Sequence, residues 1–159
     1  MSPYVYWVGG AALITLAALA IAWRPLRTLG RDFAAAHARE AFTLERERLH
    51  DRFLAAANET GKPRGLRWVD CEFGDGYELA RDRDSGQLIA LAPVTISFAA
   101  IEGGSMEGVE AVGNLRNATA VFVFARGHWS TSGKAVFNMN PDEALRHFQH
   151  QYERVAGQN

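Results

Sequence analysis

Two tryptophans with charged neighbours are the first residues here whose types suit recognition chemistry. Trp68 follows Arg67 and precedes Asp70 by two positions; Trp129 follows His128. An aromatic surface beside a cation can hold an anionic or lipid-like ligand through apolar contact and charge together. Strands that bring the two tryptophans side by side would line one pocket with Arg67, Trp68, Asp70, His128 and Trp129. The alternative is that both rings fill the core or its rim.

Other chemistry-bearing residues lack a supporting pattern. Cys71 lies between Asp70 and Glu72. A nucleophilic thiol needs a base or positive neighbours, and carboxylates act the other way. A buried, inert cysteine is the expectation. Asp70 and Glu72, two apart in a strand, share one face and form a candidate acidic pair. Alternation places them on the solvated side, opposite Val69, Cys71 and Phe73. His147 and His150 stand three apart on an expected helix, with no cysteine or carboxylate at a diagnostic metal spacing. "GHWSTSGKA" (127–135) superficially resembles a phosphate-binding loop. It has one residue too many between its glycines, and Ala135 stands where a hydroxyl would hold magnesium. No catalytic residue, metal or cofactor is assigned.

Composition narrows the partners. The 159 residues carry a net charge of −1, but unevenly. Between Arg24 and Arg67 there are ten Lys or Arg against six Asp or Glu; from Trp68 onward there are seven against twelve. An acidic distal part is a poor binder of phosphate backbones, so nucleic acid is not an expected partner. The single cysteine rules out an intramolecular disulfide.

The elements that must position these residues begin with "YVYWVGGAALITLAALAIAW" (4–23), twenty residues without a charge. As a helix they would cover about 30 Å, the thickness of a hydrocarbon core. Tyr4 and Trp7 at one end and Trp23 at the other suit the two headgroup levels. No basic residue precedes the segment, whereas Arg24, Arg27 and Arg31 follow it. That order favours an uncleaved anchor over a signal peptide. By the positive-inside bias it places the larger domain on the cytoplasmic side of the membrane. The lipid bilayer and a membrane-protein partner are the expected associates. Ala11, Thr15, Ala18 and Ala22 put small side chains on one helix face, which would also permit a homo-oligomer.

Pro25 and Gly30 suggest a break, giving a short tail (1–3), an anchor (4–23), a basic linker (24–30) and one domain (31–159). Ala35, Ala38, Phe42, Leu49, Phe53 and Ala56 recur with the period of one buried helix stripe, ending near Gly61 and Pro63. The period then changes to that of strands. "RGLRWVDCEF" reads as one, and "YELARD" and "QLIALA" as a hairpin turning at "RDSG". The run continues to Ile101 through Pro93, which predicts an edge position or a bulge there. "TAVFVFA" and "WSTSGKAVFNM" complete about five strands. Residues 102–117 hold four glycines and three glutamates, a solvated loop with a short turn at Glu110–Gly113. Glu102, Glu107 and Glu110 are candidate contacts for a protein partner. "NPDE" (140–143) carries the signature of a capping box, starting a last helix with Leu145, Phe148, Tyr152 and Val155 on its buried stripe.

The expected fold class is therefore α+β: a transmembrane helix, a long helix, an antiparallel sheet of about five strands and a C-terminal helix. That order of elements is similar to that of cystatin-like and nuclear-transport-factor-like rolls. The primary expectation is a membrane-anchored, non-catalytic interaction or accessory domain. The alternative is a small-ligand-binding or enzymatic domain with a pocket between helix and curved sheet.

Overall fold

The computed structural model describes the backbone of residues 4–60 and 65–156, with side chains from residue 30 onward in those ranges. It is an α+β structure: one long helix, a seven-stranded antiparallel sheet and a short second helix. Two compact units divide it, Met1–His37 and Ala38–Asn159.

The first unit is helical. Helix α1 (Tyr4–Thr60) runs without interruption through positions 25 and 30, where the sequence suggests a break. Alanine, leucine and arginine on either side favour helix strongly enough to carry it past both residues. The expected membrane span Tyr4–Trp23 and its flanking Tyr4, Trp7, Trp23, Arg24 and Arg27 lie outside the residues whose side chains are described. So does the small-residue stripe Ala11–Ala22. Arg31 is exposed. Among the described residues no helix is long and apolar enough to cross a membrane.

The second unit is built on two long central strands, β3 (Leu88–Ala100) and β4 (Arg116–Ala125), paired antiparallel from Leu88↔Phe124 to Ile96↔Arg116. Each has two short partners on its outer side. Strand β2 (Glu78–Asp82) pairs with the first half of β3, and β1 (Leu66–Phe73) with the second. Strands β5 (His128–Ser130) and β6 (Ala135–Phe137) divide β4 in the same way. Strand β7 (Tyr152–Arg154) closes the edge beyond β2.

Seven strands stand where about five were expected. The run 129–139 is split at Gly133, whose φ of +73° ends an extended strand. The C-terminal helix is also much shorter than its apolar period implied. Helix α2 (Pro141–His147) has the expected capping box: Asn140 Oδ1 accepts from the Glu143 amide, and Glu143 Oε2 accepts from the Asn140 amide, both at 2.9 Å. After a turn, Tyr152 enters the sheet instead of a further helical turn. Leu145 and Tyr152 still join one core, with Ile89, Leu91 and Val121, and Phe148 packs at its side. The pairing Ala80↔Arg154 and an ion pair from Arg154 to Glu78 (2.6 Å), with a second to Asp142, outweigh the local helical preference.

Pro93 lies neither on an edge strand nor in a bulge. It sits in β3 where pairing passes from β2 to β1: Leu91 faces Glu78, Val94 faces Phe73, and Gly74 N donates to Pro93 O at 3.0 Å. The missing proline donor therefore falls in a gap between two partners and costs no ladder bond.

The other sheet face carries the C-terminal part of α1. Ala38, Phe42, Leu49 and Phe53 are buried at helical spacing, as the sequence indicates, and the stripe ends on Ala57 rather than Ala56. The cause is Gly133. A Cβ added there would stand 2.3 Å from the Ala57 amide nitrogen, so only glycine admits the helix so close. Thr60 Oγ1 donates to Ser132 O at 2.8 Å beside this contact. Phe42, Phe53, Phe122 and Trp129 interlock between helix and sheet, and Trp129 Nε1 donates to Ala38 O at 2.8 Å. Between Phe42, Phe53, Phe122 and Trp129 the space between helix and sheet is thus filled by aromatic side chains.

Candidate functional site

The predicted pocket residues do not converge. Trp68 pairs across from Phe98 at the far end of β3, whereas Trp129 pairs with Phe124, itself opposite Leu88 at the near end. Ten residues of strand separate Phe98 from Leu88, roughly 30 Å of extended chain. Both indoles are buried: Trp68 against Phe53, Phe98 and Phe137, and Trp129 against Phe42 and Phe124. His128 is exposed at a two-residue turn where Arg126 and Gly127 both take positive φ, the geometry of a tight hairpin.

A bulge changes the facing of β1. Register slips between Trp68 and Asp70, so Val69 is left outside the ladder and half exposed. Trp68 and Cys71 both turn inward, three apart instead of two, and Asp70 stays in solvent. Strict alternation had put Trp68 with Asp70, and Val69 with Cys71; the extra residue undoes both pairings.

Asp70, Cys71 and Glu72 border an open cleft of about 600 Å³ with Arg46, Glu47, His50 and Asp51 of α1. Its polar groups tie helix to strand. His50 Nε2 donates to the Cys71 carbonyl, and His50 Nδ1 stands 3.3 Å from the Asp51 carboxylate. Arg46 donates to the Gly74 carbonyl. Burial pushes the Cys71 thiol up to about 11, with Asp70 and Asp51 adding to the shift. At neutral pH Cys71 is a protonated thiol, and the imidazole beside it is engaged with backbone.

The loop end of the sheet brings other candidates together. Arg67 of β1 meets Ala100, Ile101, Glu102 and Glu107 around a shallow cleft of about 410 Å³. Residues 101–115 fold as a chain of local turns. Ile101 N donates to Gly65 O at 2.9 Å, Gly104 N to Ile101 O at 2.8 Å, and Gly103 N to Glu107 Oε2 at 2.9 Å. A Cβ at Gly104 would lie 2.8 Å from Ile101 O, so the first turn requires glycine. The 3₁₀ helix Glu110–Gly113 follows where the sequence suggested a turn. Glu102, Glu107 and Glu110 are all exposed on this segment, beside exposed Ile101, Val109 and Leu115 (66% accessible).

Under the same segment lies an apolar cleft of about 310 Å³ that the sequence did not reveal. Leu66, Phe98, Met106, Val112 and Phe137 form its walls, and Arg116 and Asn138 stand at its border. Phe137 remains 40% accessible although its ring meets those of Trp68 and Phe98. The signal was present in Met106, Val109, Val112 and Leu115, apolar residues at intervals of three inside a stretch that glycine and glutamate made look fully solvated.

His147 ends α2 and His150 falls in the turn beyond it, so they do not share a helix face. Among the described residues no three His, Cys, Asp or Glu side chains gather as a metal site would require. The chain matches no family model, no curated protein and no solved structure.

Proposed function

We propose that this chain is a membrane-anchored, non-catalytic accessory domain that presents the loop end of its sheet to a protein partner. One observation carries the reading: Ile101, Val109 and Leu115 are exposed among Glu102, Glu107 and Glu110 on a single segment. Apolar side chains ringed by charge are the composition of a protein interface, and the acidic ring suits a basic partner surface. The anchor rests on the uncharged segment 4–23, and the cytoplasmic placement on the arginines after it. Those arginines would lie against anionic headgroups. The unit from Ala38 onward is taken as a roll of the cystatin-like or nuclear-transport-factor-like kind on its element order alone.

The test is crosslinking in living cells from a photoreactive side chain at Leu115, with the same group at Asp84 in the β2–β3 turn as control. A discrete adduct from Leu115 alone, lost when Glu102, Glu107 and Glu110 become glutamine, is the expected result. Equal adducts from both positions, or indifference to the glutamates, would sink the reading. An adduct of twice the chain's own mass would replace the membrane-protein partner with a second copy.

The small-ligand alternative is favoured by a different observation, the apolar cleft beneath residues 101–115.

A further inference from the structure

We infer that this cleft binds a single-chain amphipathic carboxylate, with its tail against Phe98, Met106, Val112 and Phe137 and its head on Arg116. The inference rests on the small-ligand reading and needs neither the anchor nor a protein partner. Three observations converge on it.

The first is the cavity itself. Its volume of about 310 Å³ lies at the lower end of the range for small-molecule sites, and its walls are mostly apolar. Met106 in the roof is an unbranched, adaptable side chain suited to contacts with a flexible tail. Aromatic rings form the floor, and Phe137 keeps much of its surface in reach of water. Covering that surface would be the driving force for tail binding.

The second is charge. Among the described residues no hydrogen bond or ion pair engages the Arg116 guanidinium, whereas the carboxylate clusters elsewhere hold Arg52, Arg83, Arg146 and Arg154. A planar guanidinium at the border of an apolar cavity matches a planar carboxylate through two parallel hydrogen bonds. Glu102 and Glu107 border the neighbouring cleft around Arg67, and Glu143 lines the adjoining cleft that shares Arg116. Their charge disfavours a head bearing more than one negative charge.

The third is polarity on either side of the arginine. Arg116 and Asn138 line both the apolar cleft and an adjoining cleft of about 510 Å³ of mixed character, where Thr95, Asn117, Asn140 and Glu143 stand with Pro93 and Met139. Mostly apolar space thus gives way, at Arg116, to space that also offers polar groups. That is the arrangement an amphiphile requires, with its head at the junction and its tail on one side.

The test uses the full chain in nanodiscs of phosphatidylcholine and a fatty carboxylate carrying a diazirine in its tail. Adducts are mapped by mass spectrometry. They are expected on Met106, Val112 or Phe137, and decanoate should compete at least about tenfold better than decanol, the difference one charge-assisted contact makes. Arg116→Gln should lower labelling about tenfold without changing the thermal melt, because the side chain is exposed. Val112→Trp, filling the cleft, should abolish labelling. Adducts confined to other residues would overturn the proposal, as would equal competition by decanol or unchanged labelling of Arg116→Gln. Competition by phosphatidylglycerol in the nanodisc equal to that of decanoate would overturn a free carboxylate in favour of a bilayer lipid. Labelling lost on Arg116→Gln but kept when the three glutamates become glutamine would separate this site from the partner surface.

Discussion

The same aromatic layer of the sheet meets two different covers. Over Phe122 and Trp129 lies α1, with Phe42, Leu49 and Phe53 pressed into the sheet and Gly133 drawn against the Ala57 backbone. Over Phe98 and Phe137 lies the segment 101–115, whose contacts are mostly turns with itself. A helix presents a row of large side chains at fixed spacing and fills the space beneath. A glycine-rich chain of turns spans a similar layer but brings few side chains down to it, so volume is left. Stability and recognition are in this way divided between two ends of one surface.

The sharpest way to break that contrast is at the sealed end. Gly133→Ala must place a methyl group inside the Ala57 backbone at a φ that disfavours it. A loss of roughly 4 kcal/mol or more is expected in chemical denaturation, near the upper range for single substitutions. A loss under about 1 kcal/mol would mean the helix is not held this closely. Phe53→Ala should cost about 3–4 kcal/mol, because the ring is fully buried among Trp68, Phe73 and Phe122.

Alkali should act where α1 meets β1 as well. The Cys71 thiol titrates at about 11 when folded, above its ordinary value of 9.0. Its contribution is fully present below pH 9 and is lost as pH rises through 11, since the unfolded chain ionises first. About 3 kcal/mol is the order of the loss, and Cys71→Ala should flatten that part of the profile. Tyr77 and Tyr152, also raised by burial, act in the same direction.

At the open end the effects should be small. Leu115→Ala, on a largely exposed side chain, is expected to change stability by less than about 0.5 kcal/mol while weakening partner crosslinking from a photoreactive side chain moved to exposed Val109. Amide exchange should follow the same gradient. Residues 101–115 should exchange well before the paired core of β3 and β4, and protection equal to that core would erase the distinction.

Much of the sealed end was legible in the sequence. Ala38, Phe42, Leu49 and Phe53 announce the buried stripe by their spacing, and Asn140 with Glu143 announces the cap of α2. What was not legible depends on pairing between distant residues. The bulge at Val69 changes which neighbours of Trp68 face inward, and nothing in "RWVDC" marks it. The intervals of Leu145, Phe148 and Tyr152 fit a helix, but β7 arises because β2 has an open edge seventy residues earlier. The two tryptophan sites were separated by the length of β3, a distance that only the register reveals. The apolar cleft was hidden because its walls come from β1, β3, β6 and the turn segment, of which only β3 and the turn segment follow one another in sequence.

Pro93 has a consequence for how the molecule comes apart. On one side of β3 it divides two zippers, one closed by β2 and the other by β1, with no proline N–H to link them. Fraying that starts at Leu66 has a natural stopping place at Phe73, because the β2 ladder and the strand beyond it do not depend on β1. Release of β1 would expose Trp68 and dismantle the Leu66 wall while the rest of the sheet stays paired. The chain is therefore expected to possess a partly unzipped state, separate from global unfolding and lower in free energy.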